Sequence, residues 1–560
     1  METLFMERKL PEELLNLIML HCSRGSLIAL CSCSKTMHRI ATPHLYSTVS
    51  LDPGVALLPL AYLMFTSPVH ASYVQNLTGN IFSTTNKPWP EQDKRKLDTT
   101  LMRASRRYTV DDKDAAELES MISHQSYRAR EEAIFVLLFA HFGNLQKLQF
   151  TGSLSAPNPV QNTMIRVLKL VTRGRGSASC DASSTDIAAR ETIASRQYAP
   201  FSTPFTMPLD IMISGTDTYY SHRSVYVPAF LNLPNIRSLY AWRPSDDGFH
   251  RNDGYHPNES IAHDQFLRLK PLSYAVENIE LRQAKFRREH LHHLVHALIP
   301  EKLQTFSYEV TNQSPRLEVQ YEQIVQSLAP HYDTLQCLEL SFDEHEPIHH
   351  WGTTINAPLS FRCFQNLKKL KVAPTFIWSH DELCHKTLCK QPSTRQMLWK
   401  ALPETLEELW ITRMNLRSNP RTDHITSLLV PALYILLENQ DSFPLLTQLC
   451  FTFSASHWSE HREWVDLGWL SDLYSFSIMA EQKGISSLAR PTDWFVVLRV
   501  RANPGWFDDA EPSPVQRKWG WYEDVEWSEC GNNDGNDIPF LELAPELDFI
   551  ETLKGYGMDF

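Results

Sequence analysis

The sequence predicts an α/β chain: a small three-helix unit at the N-terminus, then an irregular solenoid of strand–helix repeats. Three observations predict it. An apolar cassette Φ-x-x-Φ-x-Φ, with Φ apolar, recurs along most of the chain. Helix-like stretches separate its copies, and the first fifty residues carry apolar residues at helical spacing instead. Length agrees, because 560 residues exceed one ordinary domain of roughly 150 unless the chain is an elongated array.

From residue 10 the chain reads LPEELLNLIMLHCSRGSLIALCSCSKTMHRIATPHLYSTVSL. Leu14, Leu15, Ile18 and Cys22 recur at helical spacing, behind Pro11 at a helix start and Glu12/Glu13 in the first turn. Gly25 and Ser26 break that helix and start a second over 26–33, with Leu27, Leu30 and Cys31 on its apolar side. Met37, Ile40 and Ala41 supply a third, which Pro43 is expected to close. A unit of about forty residues cannot bury so many leucines alone, so part of this apolar surface awaits a partner.

This stretch resembles the F-box, the helical motif that docks a substrate receptor onto the adaptor subunit of a cullin–RING ubiquitin ligase. The matching residues are Leu10-Pro11, Leu14 and Ile18, the Leu27-Ile28-Ala29-Leu30 core, Ser34-Lys35, and the exit Ala41-x-Pro43-x-Leu45-Tyr46. Cys22, Cys33 and Met37 depart from the residues usual there. The resemblance implies an F-box over 1–51 that meets an SCF-type adaptor and, through it, a cullin. Leu10, Pro11, Leu14, Ile18, Leu27 and Leu30 then form or support the docking surface.

The clearest cassettes are Leu145/Leu148/Phe150, Val276/Ile279/Leu281, Leu303/Phe306/Tyr308 and Leu335/Leu338/Leu340. Leu367/Leu370/Val372, Leu406/Leu409/Ile411, Leu446/Leu449/Phe451 and Phe495/Leu498/Val500 continue the series. Weaker copies are Ile236/Leu239/Ala241 and Tyr46/Val49/Leu51, and Val74/Leu77 is half of one. The last two apolar positions alternate as in a strand with one buried face. Helices are expected over 131–142, 286–299, 317–329, 395–402 and 425–437. In layout, this resembles leucine-rich repeats, although the asparagine usual after the cassette is mostly missing. That resemblance implies an irregular horseshoe over 52–505, with 152–225 largely loop. Residues flanking the last two apolar positions then line its concave wall. Trp, Tyr and Arg carry most interface energy, so Tyr240, Trp242, Arg282 and Trp410 are the expected target contacts.

Charge is uneven. Residues 503–560 hold 14 Asp/Glu against 3 Lys/Arg, which is most of the net −12, so 506–560 is read as an acidic tail or cap. An acidic chain is a poor non-specific nucleic-acid binder. Apolar runs 55–65 and 425–437 are too short for a bilayer span, and charges occupy the place of a signal-peptide core, so no membrane partner is expected. Ten cysteines without a CxxC pair read as reduced thiols in the cytoplasm or nucleus.

His290, His292, His293 and His296 crowd one predicted helix without the carboxylate of HExxH, and read as a solvated stripe. The cluster over 343–350 (DEHEPIHH) reads as a charged loop. No phosphate-binding glycine loop and no nucleophile elbow is present, so neither an enzyme nor a cofactor or metal is expected. The expected function is target recognition for an SCF-type ubiquitin ligase, with the target protein unnamed. The alternative is a repeat scaffold whose F-box-like helices serve only as a cap.

Overall fold

The computed structural model describes residues 10–51, 57–80, 91–109, 112–123, 127–152, 163–176, 207–215, 222–246, 265–284, 286–310, 321–342, 359–379, 382–383, 387–388, 390–415, 423–454 and 467–492. The chain divides into two compact units. One holds Met1–His222 with Tyr226–Arg237, the other Arg223–Val225 with Ser238–Phe560.

The first unit begins with α1 (Glu12–Leu20), α2 (Arg24–Cys33) and α3 (Lys35–Ser47). Ser23 and Ser34 cap α2 and α3, accepting from the backbone N–H of Ser26 at 3.2 Å and Met37 at 3.1 Å. Pro43 does not close α3 as expected. The helix continues through it to Ser47, giving up one backbone bond, and passes directly into β1 (Thr48–Leu51). Then follow α4 (Leu57–Thr66), α5 (Pro68–Tyr73), β2 (Asn76–Asn80), α6 (Glu91–Tyr108), α7 (Asp112–Ile122) and α8 (Tyr127–His141). The unit continues with β3 (Lys147–Gly152), α9 (Thr163–Gly176), β4 (Leu209–Gly215) and α10 (Tyr226–Leu231).

Strands β1 to β4 pair in parallel and in chain order. Their register sets Val49 beside Leu77, Leu77 beside Leu148, and Leu148 beside Ile211, all buried. The cassette positions thus form rows on one face. Both α9 and β4 lie in the stretch read as largely loop, which corrects that expectation for 163–176 and 209–215.

Every side chain over 133–140 of α8 is buried, as a helix packed on all sides requires. Phe135 reaches the sheet beside Phe150, with ring centroids 5.9 Å apart. It reaches so far because the neighbouring cassette position is Gly79: a Cβ there would clash with Phe135 Cε2. Gly79→Val is therefore expected to cost about 1–3 kcal/mol through overpacking. Thermal unfolding checks this, and Phe135→Leu in the same chain should return part of the loss.

At the end of α8, His141 donates from Nε2 to the Met64 carbonyl at 3.1 Å and accepts at Nδ1 from Tyr108 Oη at 2.5 Å. Burial pulls its pKa down to about 4, so the ring is neutral near pH 7.

The unit boundary falls within β5 (Ile236–Trp242). Further strands are β6 (Asn278–Ala284), β7 (Thr305–Val310), β8 (Cys337–Phe342), β9 (Lys369–Val372), β10 (Glu408–Asn415), β11 (Gln448–Ser454) and β12 (Ser486–Thr492). From β5 to β12 each strand pairs in parallel with the next in sequence. Leu239, Ile279, Phe306, Leu338, Leu370, Leu409 and Leu449 occupy one row across the strands. Ala241, Leu281, Tyr308, Leu340, Val372, Ile411 and Phe451 occupy the next. All fourteen are buried.

Helices α11 (Arg288–His296), α12 (Tyr321–Ser327), α13 (Asp423–Glu438) and α14 (Leu467–Gln482) lie between strands, and Phe476 of α14 packs edge-on to cassette residue Phe451. The cassette Phe495/Leu498/Val500 and the acidic tail lie outside the described residues. The last described strand is β12, where register places Ser487 and Ala489 in the two rows.

Candidate functional site

Helices α1–α3 enclose a small core of Met19, Leu27, Ile40 and Ala41, against which Leu15, Cys22, Leu30, Cys31, Met37 and Leu45 pack. That core leaves much apolar surface outside. Leu10, Leu14 and Ile18 are 52%, 45% and 48% exposed, and Leu17, Leu20 and Ile28 are exposed as well. Six large aliphatics over 10–28 facing solvent form a patch that monomers seldom leave uncovered. Of the expected docking residues, Leu10, Pro11, Leu14 and Ile18 therefore stand at the surface, whereas Leu27 is in the core and Leu30 half-buried, supporting it.

Leu17 and Leu20 lie outside the residues that carry the F-box resemblance, and Ile28, expected within its core, stands at the surface instead. The signal was present: α1 reads EELLNLIML, apolar nearly all round, yet the unit buries only Met19 of it fully. Such a helix needs cover on two sides.

The other candidate surface lies on β5–β11, on the sheet face opposite the cassette rows. Arg282 Nη1 meets Glu339 Oε2 at 2.5 Å, and its guanidinium also faces Glu280 at 3.6 Å and Glu309 at 3.8 Å. Lys371 Nζ lies 3.2 Å from Glu339 Oε1, while Ser307 and Ser341 donate to the same carboxylate at 2.9 and 3.2 Å. Lys369 pairs with Glu408 at 2.8 Å. Burial alone would raise the Glu339 carboxyl, but Arg282 and Lys371 outweigh it and hold the pKa at about 2.

The expectation that Tyr240, Arg282 and Trp410 stand exposed on a wall is corrected here: all three are buried. Neighbouring strands lie about 4.8 Å apart, so long side chains on one face reach each other before they reach water. Arg282 spends its charge on glutamates, and Trp410 packs with Cys450 and Cys337. Trp242 alone of the four is half-buried. Arg499 and Arg501, which flank the last two apolar positions of the cassette Phe495/Leu498/Val500, lie outside the described residues.

The histidine stripe divides. His290 is buried, stacks on Phe266 with centroids 4.6 Å apart, and donates Nδ1–H to Asp246 at 2.8 Å. Asp246 also accepts from Ser224 Oγ and from the Arg287 N–H that begins α11, so it fastens that helix start. His292 and His296 stay exposed and stack on each other, centroids 5.7 Å apart. His292 Nδ1 meets Ser327 Oγ at 2.9 Å, but that hydroxyl donates to the Gln323 carbonyl at 2.6 Å and so accepts from the ring. This is not a base poised to activate a serine. The 343–350 cluster lies outside the described residues. Among the described residues, no group of three or more His, Cys, Asp or Glu is placed to hold a metal ion.

Residues 8–46 match the family model of the F-box domain. The match supports an F-box protein with an adaptor-binding role in SCF-type ligases, a class whose members are typically non-catalytic subunits. No curated protein matches the chain as a relative.

Proposed function

We propose that the chain is the target-recognition subunit of an SCF-type ubiquitin ligase. The F-box docks the adaptor and, through it, a cullin. The parallel strands behind it form an irregular leucine-rich-repeat solenoid that holds a target protein. The subunit performs no bond chemistry: it raises the effective concentration of a target lysine near ubiquitin carried by another module. On the target side, Trp242 makes contact while Tyr240, Arg282 and Trp410 shape the face beneath. The protein works in the cytoplasm or nucleus.

One observation carries the adaptor half: six exposed aliphatics on a domain whose own core is complete without them. Continuity of α3 into β1 favours the second reading, in which the three helices only cap a scaffold. Affinity purification separates the two. Adaptor and cullin should accompany the full chain and be lost when residues 1–47 are removed, a cut that leaves β1 in place. A folded full chain that captures no adaptor would overturn the receptor reading.

A further inference from the structure

Adaptor docking requires α1 to present Leu14 and Ile18 in a fixed direction, and little of α1 itself guarantees that. It is nine residues long, below the roughly 12–15 at which a lone helix holds together in water. Its N-cap position is Pro11, which offers no side-chain acceptor to the first turn. Met19 is its one fully buried side chain, and Leu15 packs only partly.

Polar ties to α3 do the fastening. Arg39 grips Glu12 with both ends of its guanidinium, Nη1 to Oε1 at 2.8 Å and Nη2 to Oε2 at 2.7 Å. One turn along, His44 Nε2 donates to Asn16 Oδ1 at 3.1 Å, and Asn16 Nδ2 donates to the Glu12 carbonyl at 3.0 Å. Glu12 and Asn16 are four apart and share the side of α1 turned to α3. Leu14 and Ile18 each follow by two residues, about 200° further round the helix. Holding the first pair inward therefore turns the second pair outward. The hydrogen bond from Arg39 also lowers the Glu12 pKa, which keeps the acceptor ionised.

We propose that Glu12 and Arg39 are positioning residues for adaptor docking: their two-pronged pair sets the orientation of α1 before the adaptor arrives. This rests on the F-box reading and goes beyond it, because neither residue belongs to the apolar patch. If the clamp opens, the docking-ready fraction falls, and apparent affinity falls by that fraction. Side chains 62% and 48% exposed make such a pair weak and salt-sensitive, so the effect is a tuning of affinity.

The test is binding of purified adaptor to the full chain at low salt. Arg39→Gln should weaken it about threefold and Arg39→Glu about tenfold, the second adding like-charge repulsion. The exchange Glu12→Arg with Arg39→Glu should return affinity to within about twofold of wild type. Amide exchange of the free chain should quicken across Glu12–Leu20 in the single variants and recover in the exchanged pair, with α2 unchanged throughout. Direct contact of Arg39 with the adaptor would leave the exchanged pair as weak as the single variants, which overturns the proposal. Single variants that bind like wild type overturn it as well. A wild-type chain that binds no adaptor is a different result, since that removes the F-box reading itself.

Discussion

Leu14→Asp together with Ile18→Asp is expected to abolish adaptor capture while leaving the unfolding of the chain nearly unchanged. Each fully buried aliphatic at an interface is worth about 1.5–3 kcal/mol, and a carboxylate in its place must also be stripped of water without a partner. Two such changes exceed about 4 kcal/mol, roughly a thousandfold in affinity. The fold should tolerate them because Leu14 and Ile18 are about half exposed and lie outside the core of Met19, Leu27, Ile40 and Ala41. Leu27→Asp is the contrasting control: it puts a charge into that core and should unfold the three helices themselves. Calorimetric titration with purified adaptor, alongside circular dichroism of the same full-length variants, checks both parts. Undiminished binding by the double variant would remove the docking surface from α1.

Strand rows were legible in the sequence wherever the inward positions carry large aliphatics, since Leu338, Leu370 and Leu409 repeat the same spacing and pair in one register. Two strands were not. In β4 the order Leu209-Asp210-Ile211-Met212-Ile213 hides a buried carboxylate, which folds in only because Arg237 holds it at 3.0 and 2.7 Å from a strand 27 residues away. In β12, register gives the row positions to Ser487 and Ala489, and a serine followed by a small alanine does not make the cassette pattern.

The α1 patch was half legible for a related reason. Spacing marks which residues are apolar, but only the packed unit reveals that Met19 turns inward while Leu17 and Leu20 stay out. The charged face of β6–β10 was misjudged because an isolated Arg or Glu reads as solvent-facing. Its pairing arises between strands, where Arg282 and Glu339 are brought to 2.5 Å from 57 positions apart.

That pairing makes Arg282→Met the most destabilising change expected in the second unit. Methionine keeps most of the volume but leaves the buried Glu339 to Lys371, and withdraws the guanidinium from Glu280 and Glu309. Removing one partner of a buried pair typically costs about 3–5 kcal/mol, because the other charge stays out of water. Adding Glu339→Gln should recover part of the loss by removing the stranded charge.

Acid supplies an independent check. Wild-type Glu339 is held at about 2 in the folded chain against an ordinary 4.5, so the unfolded chain binds the proton first as pH falls. Its contribution, of order 3 kcal/mol, is therefore complete above about pH 4.5 and lost as pH falls toward 2. Without Arg282 the folded carboxyl moves up, that acid-side loss shrinks, and the gap between variant and wild type narrows from pH 7 to pH 3. Denaturant unfolding at the two pH values reads the difference directly. Equal stability at pH 7, or a gap independent of pH, would mean that Arg282 packs this face without neutralising it.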